Sequence, residues 1–407
     1  MLELDLIPVL IGADLNCYNV ARAFHEEYGA ISHAFGKYSI GATKYTKIVN
    51  FHAVEHLDDP EILVSVLSDF ANEHPDSTMI LLGCTDDYAT MLMKNKARLE
   101  DKFILPYIDE PLMKMLVSKA NFYRICDEYG VPYPKTAILS SDYAEDMLDE
   151  ASLGFPYPLI VKPSSSIEYW KHPFDGMKKV YVAHSKDEAL EIIKTIYASG
   201  YSDEMIVQDF IPGDDLNMNV LTAYSDKDGK VKMMCLGHVL LEEHTPKGLG
   251  NHAAIITEYK PEVTEPFRKL LEDLGYRGFS NFDIKYDPRD GSMRAFEINL
   301  RQGRSNYYIT SAGINIAKLI VDDYILGNEI PYTECKNEHY WHSIPTKIVY
   351  KYVKSDELKN KVKRLIKENK ESSSLWYGYD LRANPKRFAY VLVHLYRHFG
   401  KYKKYCK

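Results

Sequence analysis

The stretch Phe279–Arg304, FSNFDIKYDPRDGSMRAFEINLRQGR, decides how the rest of the chain is read. FSNFDIKY and MRAFEINL have the length and alternation of two strands, and Asp287–Gly291 (DPRDG) supplies hairpin chemistry between them. Asp283 alternates with Phe282 and Ile284, while Glu297 and Asn299 stand two apart between Phe296, Ile298 and Leu300. The oxygen-bearing side chains therefore share one face of the pair. Two carboxylates and an amide suit Mg²⁺, which takes hard oxygen ligands and fills its remaining positions with water and phosphate oxygens. A polar face on a half-buried hairpin would be the plainer reading of a lone Glu-x-Asn. Arg301, two residues further along the same face, favours phosphoryl chemistry, because a fixed cation beside a metal cluster has an evident use there.

Working outward, 407 residues is long for one core and implies two or three domains. Hydrophobic residues at 45% and charged residues at 27% describe an ordinary globular chain. The N-terminus lacks a basic region before its apolar run and no stretch has the length to span a bilayer, so a cytoplasmic location is expected. The six cysteines are scattered without a Cys-x-x-Cys pair, which argues against structural zinc or a disulfide framework. The net charge of −8 is uneven: Lys336 onward holds 18 Lys+Arg against 6 Asp+Glu, about +12, leaving about −20 elsewhere. That basic tail fits a solvated face, an anionic substrate, or peripheral contact with the inner face of the membrane. No module for nucleic acid is visible, and none is expected as a partner.

The first third alternates strands and helices. IPVLIG ends in Gly12 with Asp14 and Asn16 as caps for the helix that follows; MILLG ends in Gly83 before Thr85, Asp86 and Asp87. This is the pattern of an open doubly wound sheet, although the first turn is not a Gly-x-Gly-x-x-Gly fingerprint. Next comes SKANFYRICDEYG, a helix opened by Lys119 and closed at Gly130, then the rigid VPYPKT. PLIVKPSSS is a strand ending at Lys162 before Ser164, Ser165 and Ser166, a phosphate cradle in outline. EMIVQDFIPGDD is a strand whose end, Gln208, Asp209, Phe210 and Ile211, offers hydrogen bonds to an adenine edge, with Asp214 and Asp215 facing a ribose.

Each of these signals is weak alone, but their order is that of the ATP-grasp superfamily, which the chain resembles over nearly its whole length. Within it the chain is most similar to carboxylate-amine ligases of the bacterial D-aspartate ligase family, through IGADLNCYNVARAFHEEYG, LLGCTDDYATMLMKN, FDIKYDPRDG, EINLRQGRSNYY and YDLRANPKR. The resemblance implies an α/β (α+β) ATP-grasp fold: a Rossmann-like pre-ATP-grasp domain over 1–114, a small lid subdomain over 115–206, a large subdomain over 207–334, and a helical basic extension over 335–407. It implies ATP as cofactor, with Lys119 and Lys162 on its phosphates, Ser164–Ser166 in the loop covering them, Gln208 to Ile211 at the adenine and Asp215 at the ribose. Asp283, Glu297 and Asn299 would hold two Mg²⁺ ions, with Mn²⁺ as a substitute. Arg301 and Arg304 would serve the transferred phosphate and the substrate carboxylate. Lys247, between Pro246 and Gly248 in a second loop expected to close over the site, joins them as a catalytic residue.

One departure separates the chain from D-alanyl-D-alanine ligases, which have an arginine two residues before the metal aspartate; here that position is Asn281. The reaction implied is ATP-dependent amide formation through an acyl phosphate. The acid would be D-aspartate and the amine the lysine side chain of a nucleotide-linked muropeptide in peptidoglycan biosynthesis. Two other readings compete: a different ATP-grasp amino acid or small-molecule ligase, and a non-catalytic ATP-binding regulator. A complete metal set argues against the regulator.

Overall fold

A computed structural model describes residues 5–246 and 248–406, with the side chain of Ile167 also left out. The chain divides into two compact units, each assembled from separated segments: residues 1–110, 215–281 and 299–407 form one, and 111–214 with 282–298 the other.

The first unit contains two sheets. Strands Leu6–Ile11, Ser32–Gly36, Val49–Ala53 and Thr78–Gly83 are all parallel, in the order 3-2-1-4. The Val, Leu and Ile runs of Leu6–Ile11 and Thr78–Gly83 are almost wholly buried on both faces, as a helix-covered parallel sheet requires, while Val49–Ala53 at the sheet edge is largely half-buried or exposed. Sequence-visible caps begin the helices. Asp14 accepts from the Cys17 amide to start Leu15–Tyr28, which ends at a left-handed Gly29, and Thr85 accepts from the Tyr88 amide to start Asp86–Lys94. Asn16 is not a cap; its side chain is buried and used elsewhere.

The second sheet of this unit orders its strands as the first residues of Gly278–Tyr286, then Met218–Ser225, Val231–Glu242, His252–Glu258, Tyr340–His342 and Glu371–Ser373. C-terminal helices Thr346–Tyr352, Asp356–Lys367 and Pro385–Tyr405 close one face over Leu240, Ile256, Ile348, Val362 and Tyr402. The last helix is fixed by a fully buried ion pair in which Arg387 lies 2.8 Å from Asp380. Asp380 also accepts from the Tyr18 hydroxyl and the Lys47 amide.

The second unit holds a four-stranded antiparallel sheet in the order Thr136–Leu139, Met205–Asp209, Leu159–Pro163, Tyr181–Ala183. Helix Lys186–Ala198 buries Ala189, Ile193 and Ile196 against it. The far part of the hairpin quoted at the outset also belongs here, tied to this unit by hydrogen bonds from the Ala295 amide to the Pro132 carbonyl and from the Tyr123 hydroxyl to the Phe296 carbonyl. Among the described residues no helix is long and apolar enough to cross a membrane. Five cysteines are buried and Cys406 partly so, all with free thiols.

Candidate active site

In the second unit, strand Leu159–Pro163 ends by placing Lys162 in the interior. Its ammonium donates to the Tyr123 hydroxyl at 2.7 Å and to Gln208 Oε1 at 3.1 Å, and lies over the rings of Tyr123 and Phe296. Both hydrogen-bond partners are neutral. Burial first, then the nearby Lys119 charge, pushes the Lys162 pKa down to about 7, against a smaller opposing pull from Glu297. Gln208 is held by its own donation to Thr136 Oγ1 at 2.8 Å, so its amide orientation is fixed.

Lys119 is the first residue of helix Lys119–Glu128, which Ser118 caps. Its ammonium reaches Ser166 Oγ at 3.2 Å and Glu297 Oε2 at 3.8 Å, and Lys179 lies 3.9 Å from the other Glu297 oxygen. The unit thus gathers Lys119, Lys162, Ser166, Gln208 and Glu297, which are far apart in sequence. Two of the three serines have structural duties. Ser164 is fully buried and accepts from the Ala120 amide, and Ser165 caps the short helix Ser166–Trp170 by accepting from Glu168.

Asp209 sits at the end of its strand with its carboxylate gripped by Arg289, which also binds the buried Asp287 of the hairpin turn. Its side chain is thus engaged; beyond it Phe210 is half-buried and Ile211 buried. The Ile211 carbonyl accepts from Lys285 at 2.9 Å. The alternation expected of the hairpin holds around Asp283, half-buried between buried Phe282 and Ile284, and from Glu297 to Arg301, where Ile298 and Leu300 are buried and Glu297, Asn299 and Arg301 half-buried. It breaks just before, because Ala295 on the Glu297 side is buried and Phe296 is only half-buried, with its ring beneath the Lys162 ammonium. Among the described residues no three His, Cys, Asp or Glu side chains are arranged to hold a metal ion. A metal at Asp283 or Glu297 would complete its sphere from an amide, water or phosphate, as Mg²⁺ readily does.

In the first unit, the loop following Asn299 carries the arginines. Arg301 Nε lies 2.8 Å from Asp86 Oδ1, and its Nη1 donates to the Gln302 carbonyl. Arg304 pairs with Glu243 at 3.1 Å and stands 3.8 Å from Asp14. Asn16 donates to the Cys84 and Gln302 carbonyls, Asn19 to the Arg304 carbonyl, and Asn306 to Asn16. Buried amides thus fix the loop from the first helix. Sequence reasoning had no handle on this role of Asn16 and Asn19; only their polarity on an otherwise apolar helix face signals it. Gly303 lets the loop pass close to Asn281, since a Cβ there would fall 2.4 Å from Asn281 Oδ1. Asn281 itself is buried and accepts from Thr222 Oγ1.

Arg304, Glu243 and Asp14 line a cavity of about 200 Å³ together with His394 and His398 of the C-terminal helix and Ser343. Burial, aided by His398, Lys401 and Arg304, pushes His394 down to about 4, so it is neutral near pH 7. Burial raises the Asp14 carboxyl, and Arg304 opposes this. Asp215, also in this unit, accepts from the Glu242 amide at 2.9 Å and pairs with His244 at 2.7 Å. Lys247 lies outside the described residues.

No family model matches the chain. It is 38% identical over 409 residues to the D-aspartate ligase of Enterococcus faecium (strain Aus0004), an alignment covering 98% of this chain and 97% of that protein. Among solved structures it is similar to the biotin carboxylase domain of Hydrogenobacter thermophilus 2-oxoglutarate carboxylase, determined with MgADP, ADP and bicarbonate. The TM-score is 0.60 at 14% identity, covering 82% of this chain and 73% of that one. It is also similar to N5-carboxyaminoimidazole synthetase from Staphylococcus aureus, with a TM-score of 0.59 at 14% identity over 88% and 86% of the two chains.

Proposed function

Because the chain belongs to the D-aspartate ligase family, within the ATP-grasp ligases that form carbon–nitrogen bonds, we propose that it joins D-aspartate to an amine. The acid reacts through its side-chain carboxylate, and the acceptor is the lysine side chain of a nucleotide-linked peptidoglycan precursor. The observation that carries the reading is Lys162, a buried ammonium whose hydrogen-bond partners are neutral, grouped with Lys119, Ser166 and Glu297. Lys119, Lys162 and Lys179 together outweigh the Glu297 carboxylate, and a triphosphate would offset that excess of positive charge.

In this reading the segments 1–114, 115–206, 207–334 and 335–407 act as pre-ATP-grasp domain, lid, large subdomain and basic extension. Lys119 and Lys162 neutralise ATP phosphates, Ser166 adds a hydroxyl, and the Gln208–Ile211 strand end with Asp215 meets the nucleoside. Asp283 and Glu297, with Asn299 two residues along the same strand, have the donor chemistry for two Mg²⁺ ions, which would offset charge on the transferred phosphoryl group.

The chemistry follows from the weakness of a carboxylate as an electrophile: its leaving group would be oxide. Transfer of the γ-phosphoryl group to a carboxylate oxygen releases ADP and gives an acyl phosphate. The amine then attacks the acyl carbon, loses a proton, and expels phosphate. Arg301 is the cation assigned to the developing oxyanion. Arg304 grips the α-carboxylate of the acid in the cavity it shares with His394 and His398, and Glu243 or Asp14 meets the α-ammonium. A volume of about 200 Å³ suits a single small amino acid.

Phosphate release measured across candidate acids, with and without lysine-containing acceptors, tests the substrate assignment. D-aspartate with a nucleotide-linked acceptor is expected to give the highest rate. Heavy oxygen placed in the acid's side-chain carboxylate is expected in the released phosphate; phosphate without label would exclude the acyl phosphate route.

A further inference from the structure

The C-terminal helix Pro385–Tyr405 is solvent-facing, yet its outer face is apolar. Its inner side is accounted for: Arg387, Val391, His398 and Tyr402 are buried, and Arg387 is locked by Asp380. On the outer side Phe388, Leu392, Val393, Tyr396 and Phe399 are all exposed, Tyr396 by 75%. At 3.6 residues per turn Phe388, Leu392, Tyr396 and Phe399 fall within about 80° of arc, a continuous stripe and not a scatter. Trp376, half exposed, extends the stripe by packing its ring 5.8 Å from Phe388. A surface helix ordinarily turns charge to water, and a contiguous apolar stripe of this kind marks a surface built to be covered.

The charges beside the stripe name what covers it. Residues 385–407 contain seven Lys and Arg and no Asp or Glu. Lys386, Arg397 and Lys404 fall along one edge of the apolar arc and Lys403 within it; all four are exposed, and none makes an ion pair among the described residues. Arg397 and Lys404 thus stand among uncompensated cations next to aromatic side chains, the pattern of a helix lying in a lipid interface with its aromatics at headgroup depth. A second copy of the chain fits less well, because two-fold pairing of this face would bring the same cationic edge together with no carboxylate on the helix to neutralise it.

We propose that the outer face of helix Pro385–Tyr405 binds an anionic lipid surface, with Phe388, Leu392, Tyr396 and Phe399 entering the headgroup region and Lys386, Arg397, Lys403 and Lys404 meeting lipid phosphates. The assignment is independent of which acid and amine the ligase joins, since none of these residues lines the cavity or the lysine cluster.

Vesicle co-sedimentation of the full-length protein tests it, using phosphatidylcholine alone and phosphatidylcholine mixed equally with phosphatidylglycerol. Binding is expected only to the anionic vesicles and is expected to weaken with salt. The triple variant Leu392→Ser/Tyr396→Ser/Phe399→Ser and the quadruple variant Lys386→Gln/Arg397→Gln/Lys403→Gln/Lys404→Gln should each lose binding by on the order of tenfold or more. All the substituted side chains are exposed, so melting temperature and ADP production in solution should match the wild type. Three results would overturn the proposal: wild-type protein left in the supernatant with both vesicle types, binding that survives the triple substitution, or light scattering that shows a wild-type dimer which the triple variant converts to monomer.

Discussion

Lys162 in one unit and Arg304 in the other are both cations that the sequence nominates for anionic ligands, but their surroundings are balanced differently. Lys162 is buried against a phenol and an amide, and its charge is so poorly compensated that its pKa falls to about 7. Arg304 already holds Glu243 and lies near Asp14, and Arg301 holds Asp86. An anion arriving at the lysine cluster supplies missing charge. One arriving at an arginine must displace a carboxylate already in place, so the net gain is smaller and the choice between ligands sharper. The two regions therefore suit different tasks: binding strength for a polyanion common to many enzymes, and discrimination for a small acid.

Glu297 is the carboxylate set among Lys119, Lys179 and the hairpin strands. Glu297→Ala should lower ADP production with Mg²⁺ by about a thousandfold or more, some 4 kcal/mol in the barrier, with the circular dichroism spectrum unchanged. Near wild-type turnover would remove Glu297 from the metal site and leave the lysine cluster without its catalytic reading.

The cost of breaking a balanced pair comes next. Asp380 accepts from the Tyr18 hydroxyl and the Lys47 amide and pairs with Arg387 at 2.8 Å in the interior of the first unit. Asp380→Ala strands a buried guanidinium and should destabilise the protein by about 3–5 kcal/mol, read from the urea midpoint. A shift under about 1 kcal/mol would mean that the pair is not the anchor of the C-terminal helix.

The same logic reverses sign at Lys162. The unfolded lysine titrates near 10.5 and the folded one near 7. Between those values the unfolded chain holds a proton that the folded chain has lost, so wild-type stability rises with pH across the window. Below about pH 7 both states are protonated and the cost of burying the charge is felt in full. Lys162→Met should therefore stabilise the nucleotide-free protein by a few kcal/mol at about pH 6, with the gain shrinking toward about pH 9, while abolishing ATP binding. Equal stability changes at both pH values would show that the ammonium is not desolvated. A related expectation is proton uptake on ATP binding near pH 8, because the triphosphate restores the lysine's charge; calorimetry in buffers of different ionisation enthalpy reads it directly.

Much of the lysine side was legible in the sequence, because it is built from local signals: a capped helix start at Lys119, an apolar strand ending at Lys162, and period-two alternation around Asp283 and from Glu297 onward. Helix caps at Asp14 and Thr85 were equally plain. The arginine side was only half legible. Arg301 and Arg304 stand out beside Glu297 and Asn299, but their partners come from Asp14, Asp86, Glu243 and the last helix, residues that no short-range pattern links to them. Asn16 reads as a cap and is instead a buried clamp, since a helix-start amide and a core amide look alike without the fold. The basic composition of the C-terminal segment was visible, yet its apolar outer stripe and inward histidines depend on which face the Arg387–Asp380 pair turns to the sheet.

His394 gives the smallest and most selective test of the comparison. It reaches the Arg304 cavity from a helix about ninety residues further along the chain, and at neutral pH it is uncharged, with its pKa down at about 4. A neutral imidazole can donate one hydrogen bond to a carboxylate without upsetting the balance between Arg304 and its acids, whereas another cation would bind any anion indiscriminately. His394→Leu should therefore raise KM for the acid about tenfold, the worth of one hydrogen bond to a charged group, and leave KM for ATP unchanged. His394→Asn, which keeps a donor, should recover part of the loss. If His394→Leu instead raises KM for ATP, or changes neither constant, the cavity is not where the acid is chosen, and the division of labour between the two regions fails at its arginine end.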